Sequence, residues 1–324
     1  MVRQKVGGKQ AQILRVQDHC IELDQDVLQE ILLNDRIKDK PVAVISLAGD
    51  FRKGKSFMLC FFLRYLYNSG SPVWLGSPSD PLRGFKWRSG CDRHTTGILI
   101  WDEVFLVNTS QEKELAVLLM DTQGINDDKS TIKESAAIFA LTAMLSSVLV
   151  YNLSQNIQEN DLQYLQLFTD YGRLAQQHII GEPFQKLLFL VRDWYHVQDA
   201  VFGIDGGRKL LDQRLEVKEN QHPQLQDIRK HIRSFFTEIS AFLMPHPGLE
   251  VATGASFDGQ LSKISEDFKE QLLQLVPSLL APENLIPKVI NGRKVTCQQL
   301  VIYMTTYVHM FKQDTLPEPK QCSR

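Results

Sequence analysis

The chain has 324 residues, of which 43% are hydrophobic and 23% charged, with a formal net charge of −2. This composition suits one large domain or two modest ones built around a substantial core. Because proteins that work mainly on phosphate backbones usually carry a clear basic excess, the near-neutral balance argues against nucleic acid as a partner.

Cysteine usage and apolar stretches limit the class of protein further. The five cysteines are scattered without a CxxC pair, which argues against a disulfide framework and structural zinc and favours a reducing compartment. Residues 1–5 run into polar sequence without an apolar core, which does not resemble a secretory signal. The longest nearly uncharged stretch, 136–151, is shorter than the ~20 apolar residues that a spanning helix needs. We expect it to be a buried helix leading into a strand, and the chain alone to be soluble in the cytosol.

Apolar runs alternate with helical patterns, which is typical of an α/β fold with a mostly parallel central sheet flanked by helices. The first predicted strand, 41–48, is apolar almost throughout, as expected of a strand covered on both faces. A glycine-containing turn and a helix over 56–67 follow. Strands are then predicted at 98–107 and 115–121, and the polar segment between them favours an antiparallel hairpin.

The second half of the chain continues the alternation. Strands are predicted over 148–153, 186–192 and 242–244, with a helical apolar face around 162–168.

The character of the chain changes beyond about residue 283. Asn291-Gly292 is a strong turn signal, and a long helix is predicted over 295–313. We therefore predict an α/β domain over 1–283 and, over 284–324, a linker with the first helix of an incomplete helical domain.

Residues 49–56, GDFRKGKS, fit the pattern G-x4-G-K-[ST] of a phosphate-binding loop. The segment follows a buried strand and opens a helix, which is the context that this loop requires. The glycines allow backbone N–H groups to point at phosphate oxygens, while Lys55 reaches the β- and γ-phosphates and Ser56 offers its hydroxyl to Mg²⁺. The helix beginning at Ser56 directs the positive end of its dipole at the same anion.

Two further segments fit the opposite side of a triphosphate. Asp121 begins the string DTQG at the end of a predicted strand, where an Asp can hold Mg²⁺ and the N–H of Gly124 can meet the γ-phosphate. Thr95 and Thr96 lie in the interval where a switch threonine would complete the Mg²⁺ shell. Taken alone, these threonines are better explained by ordinary turn chemistry.

Arg192-Asp193 follows the predicted strand 186–192. A carboxylate there can accept both the N1–H and the N2 amine of guanine, a pair of donors that adenine lacks. Because the Asn-Lys-x-Asp form of this element is absent, the pair by itself can also be explained as a surface salt bridge.

Together these segments resemble the atlastin family of GTPases. The likeness covers about residues 10–320, and the Arg-Asp motif and the PHPGL stretch are its most specific parts; guanylate-binding proteins, the wider family, share the Arg-Asp motif. The matching segments are GDFRKGKSF (49–57), RHTTG (93–97), LLMDTQG (118–124), VYNLSQ (150–155), LQLFTDYGRL (165–174), VRDW (191–194) and LMPHPGLEVAT (243–253).

The resemblance implies a P-loop GTPase domain of the dynamin superfamily, of GB1/RHD3 type, that hydrolyses GTP to GDP and phosphate with Mg²⁺. Atlastins tether and fuse endoplasmic-reticulum membranes, and their GTPase domains pair across the nucleotide face when GTP is bound. For this chain the resemblance implies a homodimer at the cytosolic face of the endoplasmic reticulum, with membrane segments outside the chain and 295–313 as the start of a helical middle domain.

The resemblance also implies individual roles. Arg52 matches an arginine finger that acts in cis, and Thr95 matches the switch threonine on Mg²⁺, so that Arg52, Lys55 and Thr95 are the expected catalytic residues. Arg192 and Asp193 match the guanine-reading pair. Expected metal contacts are Ser56, Thr95 and Asp121, and further nucleotide contacts are Lys53, Gly54, Phe57, Gly124 and, in the cap over the base, Val251.

Three departures from the family pattern keep alternatives open. Asp50 stands where atlastins usually have Ala, and residues 89–92 and 125–129 differ from the usual runs. These changes favour, as an alternative, a nucleotide-gated self-association module with weak or no hydrolysis. A P-loop ATPase or kinase is a third possibility, against which Asp193 argues. Gln123 is given no catalytic role.

Overall fold

The computed structural model describes residues 7–17, 19–50, 53–87, 97–124, 131–175, 184–254 and 257–312. Within these ranges the chain forms strands and helices in alternation. The strands are β1 Gln10–Gln17, β2 Cys20–Leu23, β3 Val42–Gly49, β4 Ile98–Trp101, β5 Phe105–Val107, β6 Leu115–Thr122, β7 Val148–Ser154, β8 Phe184–Arg192, β9 Phe236–Leu243, β10 Val289–Ile290 and β11 Arg293–Lys294. The helices are α1 Gln25–Leu32, α2 Lys55–Tyr67, α3 Ile132–Leu145, α4 Glu159–Ala175, α5 Gly203–Arg214, α6 Pro223–Phe235, α7 Leu249–Thr253, α8 Glu266–Leu280 and α9 Cys297–Lys312.

The central sheet has nine strands in the order β2-β1-β4-β6-β3-β7-β8-β9, with β5 also paired to β6. Strands β6, β3, β7, β8 and β9 run parallel to their neighbours in that series, whereas β1, β2, β4 and β5 pair in antiparallel fashion. The predicted α/β class, with a mostly parallel sheet flanked by helices, is confirmed.

Strand β3 lies in the middle of the sheet, and its side chains alternate between two apolar layers. Val42 and Val44 belong to the layer that contains α3, α4 and α9. Ala43, Ile45 and Leu47 belong to the opposite layer, which contains α2 and α8. All eight residues of β3 are buried, which is why the sequence of this strand is apolar without alternation.

Several element boundaries differ from the sequence predictions for identifiable reasons. The strand predicted over 98–107 is divided into β4 and β5 by the intervening residues 102–104. The late strand is longer than the predicted 242–244, since β9 begins at Phe236. Its residues Thr237 and Glu238 are polar and exposed, so this part of the strand has no apolar pattern. The predicted helix over 295–313 corresponds to α9, and residues 313–324 lie outside the described ranges.

Helix α9 packs against α1, α3, α4 and β2. It buries Leu300, Met304 and Tyr307 in the same apolar layer as α3. The division of the chain at 283/284 stays a prediction.

Among the described residues, no helix combines the length and hydropathy that crossing a membrane would require.

Lys288 connects the segment before α9 to the start of β3. It is 1% exposed, its Nζ donates to the Ser146 carbonyl at 2.9 Å, and its N–H donates to the Val42 carbonyl at 2.6 Å. Burial lowers the pKa of this lysine from its ordinary value of 10.5 to about 7. The side chain therefore reaches the end of α3 as a hydrogen-bond donor whose charge is disfavoured by burial.

We expect the free energy of unfolding to rise with pH between about 7 and 10.5, because the unfolded chain binds the Lys288 proton there and the folded chain does not. The slope from one such group is at most about 1.4 kcal/mol per pH unit. Lys288→Met should flatten this rise in urea unfolding followed at pH 7, 8 and 9. Lys294→Met, at an exposed lysine of β11, is the control, and equal slopes in wild type and Lys288→Met would contradict the expectation.

Candidate nucleotide-binding site

The phosphate-binding loop begins at the end of β3, beside β7. In the parallel register Gly49 lies opposite Asn152, and its backbone has a φ of 133°. A Cβ at this position would lie 2.2 Å from the Asn152 carbonyl oxygen. The first glycine of the motif is therefore required by close backbone approach as well as by its dihedral angle. Phe51 and Arg52 lie outside the described residues.

The loop ends at Gly54, which precedes the first turn of α2. Its φ is 74°, in the left-handed region, and a Cβ here would lie 2.8 Å from Arg192 Nη1. Gly54 has no side chain that could cap α2, and the N–H groups in the first turn of a helix are the ones that can bind an anion.

Lys55 is buried at the foot of the loop. Its Nζ donates to the Asp50 carbonyl at 2.8 Å and to the Gly49 carbonyl at 3.2 Å. Burial lowers its pKa to about 8, and the nearby carboxylates of Asp121 and Asp50 partly offset this effect. The ammonium thus lies among carbonyl groups of its own loop, where a bound phosphate would be a stronger partner.

Ser56 and Asp121 form the part of the site that fits a divalent cation. The Ser56 hydroxyl donates to Asp121 Oδ2 at 2.6 Å, and Asp121 is 1% exposed at the end of β6. A hydroxyl and a carboxylate are hard oxygen donors of the kind that Mg²⁺ prefers beside phosphate oxygens. The described residues hold no cluster of three or more His, Cys, Asp or Glu side chains arranged for a metal.

Gln123 fastens the end of β6 to the start of β4. Its Oε1 accepts from the Gly97 N–H at 2.7 Å, and its own N–H donates to the Gly97 carbonyl at 2.9 Å. The side chain is 2% exposed, and its hydrogen bond holds the backbone at the start of β4 next to the end of β6. Thr95 and Thr96, which precede Gly97, lie outside the described residues.

Arg192 lies at the end of β8 with its guanidinium against the phosphate loop. Nη1 donates to the Lys53 carbonyl at 3.3 Å and to the Gly54 carbonyl at 3.4 Å. The guanidinium carbon lies 5.5 Å from the centroid of the Phe268 ring on α8. Burial lowers the pKa of Arg192, and the charge of Asp193 opposes that shift.

Asp193 follows directly, half-buried, with a φ of 58°. Asp tolerates this left-handed conformation better than most residues. Val251 lies on α7 and packs, partly buried, against the apolar layer of α2 and α8.

The predicted site residues do not all present their side chains to one space. Phe57 is 5% exposed and its ring packs on Phe61, Trp87 and Phe257, which leaves its backbone as the part near the loop. Gly124 is the last described residue before 131 and is buried. The assigned roles of these residues remain predictions.

Asn152 is a site residue that the sequence predictions missed. It is fully buried on β7, and its Nδ2 donates to the Lys53 carbonyl at 3.0 Å. The available signal was an amide side chain inside the apolar run VLVYNLS, since a buried polar group in a strand needs a partner.

We expect Gly54→Ala to weaken GDP binding at least about tenfold, because the added methyl would strain a left-handed residue and displace Arg192. Titration with a fluorescent GDP analogue measures the affinity. Gly292→Ala is the matched control: its φ is 72°, and among the described residues nothing lies within 4 Å of the added carbon. Equal affinities in the two variants would contradict the role of Gly54.

The sequence of the chain is similar to those of known proteins. Residues 18–289 match the sequence family described as "Guanylate-binding protein, N-terminal domain". The chain is 55% identical to Atlastin-2 of Homo sapiens over 303 residues, covering 94% of this chain and 52% of that protein. It is 54% identical to Atlastin-1 of Macaca fascicularis over 316 residues, covering 98% of this chain and 56% of that protein. The chain therefore spans about half the length of the curated relatives that it matches.

Proposed function

The chain belongs to the guanylate-binding protein family and is similar to the atlastins within it, and because that family consists of GTPases we propose that the chain binds GTP with Mg²⁺ and hydrolyses it to GDP and phosphate. The observation that carries this proposal is the convergence of the buried Lys55 and the Ser56–Asp121 pair at the start of α2.

The phosphate tail is proposed to lie along the loop and the first turn of α2. Lys55 would exchange its carbonyl partners for phosphate oxygens, and the helix N–H groups and dipole would favour the same charge. When bound through Ser56 and Asp121, Mg²⁺ would neutralise charge on the β- and γ-phosphates. Thr95 is proposed to complete that shell.

Base selection is proposed for Asp193. Its carboxylate can accept both guanine donors, and a base without them would leave the acid unpaired. This requirement is the argument against a P-loop ATPase or kinase. Val251 is proposed to lie in the segment that covers the base.

Catalysis is proposed to depend on Arg52. A guanidinium that neutralises charge on the transferring phosphoryl group is worth roughly 10³ to 10⁵ in rate, or on the order of 4 to 7 kcal/mol. The position of Arg52 within the loop motif supports this role.

GTP is proposed to drive homodimerisation through the nucleotide-facing side. Two exposed apolar side chains support this: Tyr195, 62% exposed, follows the Arg-Asp element, and Leu249, 74% exposed, lies on α7 beside Val251. In the whole protein we propose that this cycle serves homotypic tethering and fusion of endoplasmic-reticulum membranes at their cytosolic face.

A second candidate is a nucleotide-gated binding module with weak or no hydrolysis. Asp50 favours it, because a carboxylate on the phosphate loop adds negative charge next to Lys55. The same charge helps to raise the pKa of Asp161, which burial shifts to about 6. A triphosphate would enter a site that already holds this negative charge.

Phosphate release from GTP at several protein concentrations separates the two candidates. We expect the specific activity to rise with concentration, because the active form is a dimer, and to fall at least about 10³-fold in Arg52→Ala. Arg36→Ala, at an exposed arginine near α1, is the control and should behave as wild type. Absent turnover despite GTP binding would support the binding module.

Asp193→Asn tests base selection. The amide can accept from N1–H of xanthine and donate to its C2 carbonyl, so we expect GTP affinity to fall roughly 10²-fold and XTP affinity to rise. Competition titrations with GTP, XTP and ATP measure the preference. An unchanged preference for GTP would show that another residue reads the base.

A further inference from the structure

The Lys53 carbonyl oxygen accepts from side chains of two different strands. Asn152 Nδ2 on β7 lies 3.0 Å away and Arg192 Nη1 on β8 lies 3.3 Å away. The same guanidinium nitrogen lies 3.4 Å from the Gly54 carbonyl oxygen. Because β7 and β8 are parallel neighbours, with Ser154 opposite Arg192, both donors reach the loop from the same edge of the sheet.

These contacts determine which way the loop amides face. The described peptide bonds are trans, and in a trans peptide the C=O and N–H groups point in opposite directions. Holding the Lys53 carbonyl toward Asn152 and Arg192 therefore turns the Gly54 N–H away from them. The Gly54 carbonyl accepts from Arg192 and also from the Met58 N–H at 3.0 Å, and its direction turns the Lys55 N–H away from Arg192 in the same way. These are amides of the kind that a phosphate-binding loop presents to its anion.

Arg192 is enclosed on the side away from the loop. It is 5% exposed, and its guanidinium lies between the loop carbonyls and the Phe268 ring. The fit depends on the missing Cβ of Gly54, which would approach Nη1 to 2.8 Å. The N–H donors of Arg192 are thus directed at the phosphate loop. Asp193 is the next residue along the chain, after the end of β8.

Each of these side chains buries a polar atom at a cost to the stability of the fold. Among the described residues, Asn152 Oδ1 and Arg192 Nε are buried without a hydrogen-bond partner. Such groups are uncommon in folded proteins because each one costs its desolvation. An apolar side chain on β7 would avoid that cost, so the contacts with the loop are the feature that these residues add.

We propose that Asn152 and Arg192 are positioning residues that hold the Lys53 and Gly54 carbonyls inward, so that the Gly54 and Lys55 N–H groups face the β-phosphate. The inference rests on the proposed function, because its ligand is the proposed guanine nucleotide. It assigns Arg192 to phosphate affinity and leaves guanine selection to Asp193.

Dissociation constants for GDP, GMP and IDP, measured with Mg²⁺ by titration calorimetry, separate these roles. The ratio of the GMP and GDP constants reports the gain from the β-phosphate. The ratio of the IDP and GDP constants reports recognition of the N2 amine, which IDP lacks. Three variants are compared. Asn152→Asp replaces the amide donor with a carboxylate, and Asn152→Leu removes hydrogen bonding altogether. Arg192→Lys keeps the positive charge but lacks the planar guanidinium with its several N–H donors. Asp193→Asn is the reference for base reading.

We expect the GMP:GDP ratio to fall about tenfold or more in all three positioning variants, because misdirected N–H groups lose charge-assisted bonds to phosphate. The IDP:GDP ratio should stay within about twofold in them and change in Asp193→Asn. Ser147→Ala is the matched structural control: Ser147 is buried just before β7, where its hydroxyl accepts from the Val44 N–H at 3.1 Å. It should lower the melting temperature and leave both ratios unchanged.

The inference is overturned if the positioning variants keep both ratios, as Ser147→Ala does, or if Arg192→Lys changes the IDP:GDP ratio instead. If one substitution prevents folding, the variants at the other position decide the question. A wild-type chain that does not bind GDP would overturn the proposed function itself, and the wild-type titration shows this before any variant is compared.

Discussion

The parallel pairing of β3 with β6 and β7 is the constraint on which the rest of the site depends. Its register places Leu47 opposite Asp121 and Gly49 opposite Asn152. Because parallel strands end at the same edge of a sheet, the loop after β3, the carboxylate on β6 and the amide on β7 meet there. Strand β8 adds Arg192 at the same edge, since Ser154 of β7 lies opposite it.

Groups of opposite charge lie close together at this edge. Lys55 lies near Asp121 and Asp50, and the Ser56 hydroxyl already contacts Asp121. The groups that would hold phosphate and Mg²⁺ are therefore kept in place by one another in a buried setting, where isolated charges would be costly. Asp50 adds one carboxylate to this arrangement, close enough to Lys55 to act on its charge.

The opposite end of β3 is tied to the segment that leads into α9. The Val42 N–H donates to the Val295 carbonyl at 2.9 Å, and the Val42 carbonyl accepts from Lys288. Helix α9 in turn packs on α3, whose first turn contains a capping box formed by Thr131 and Glu134. His19 in the β1–β2 turn bonds the same Glu134 at 2.8 Å. The β1–β2 hairpin and helix α9 thus both contact α3, the next helix after Gly124 in the chain.

The sequence by itself determined the elements whose signals are local. Three features can be recognised within a few residues: the apolar run of β3, the pattern G-x4-G-K-S and the carboxylate at the end of β6. Burial on both faces of a strand and phosphate binding each restrict directly which residue types can occur. The tertiary structure alone decided the contacts that join distant segments. Asn152 and Arg192 bind Lys53 across 99 and 139 positions, and Lys288 bonds Ser146 across 142 positions. Edge strand β9 was underestimated because its exposed residues lack an apolar pattern. Strand order and register bring such partners together, and neither is encoded in any single segment of the chain.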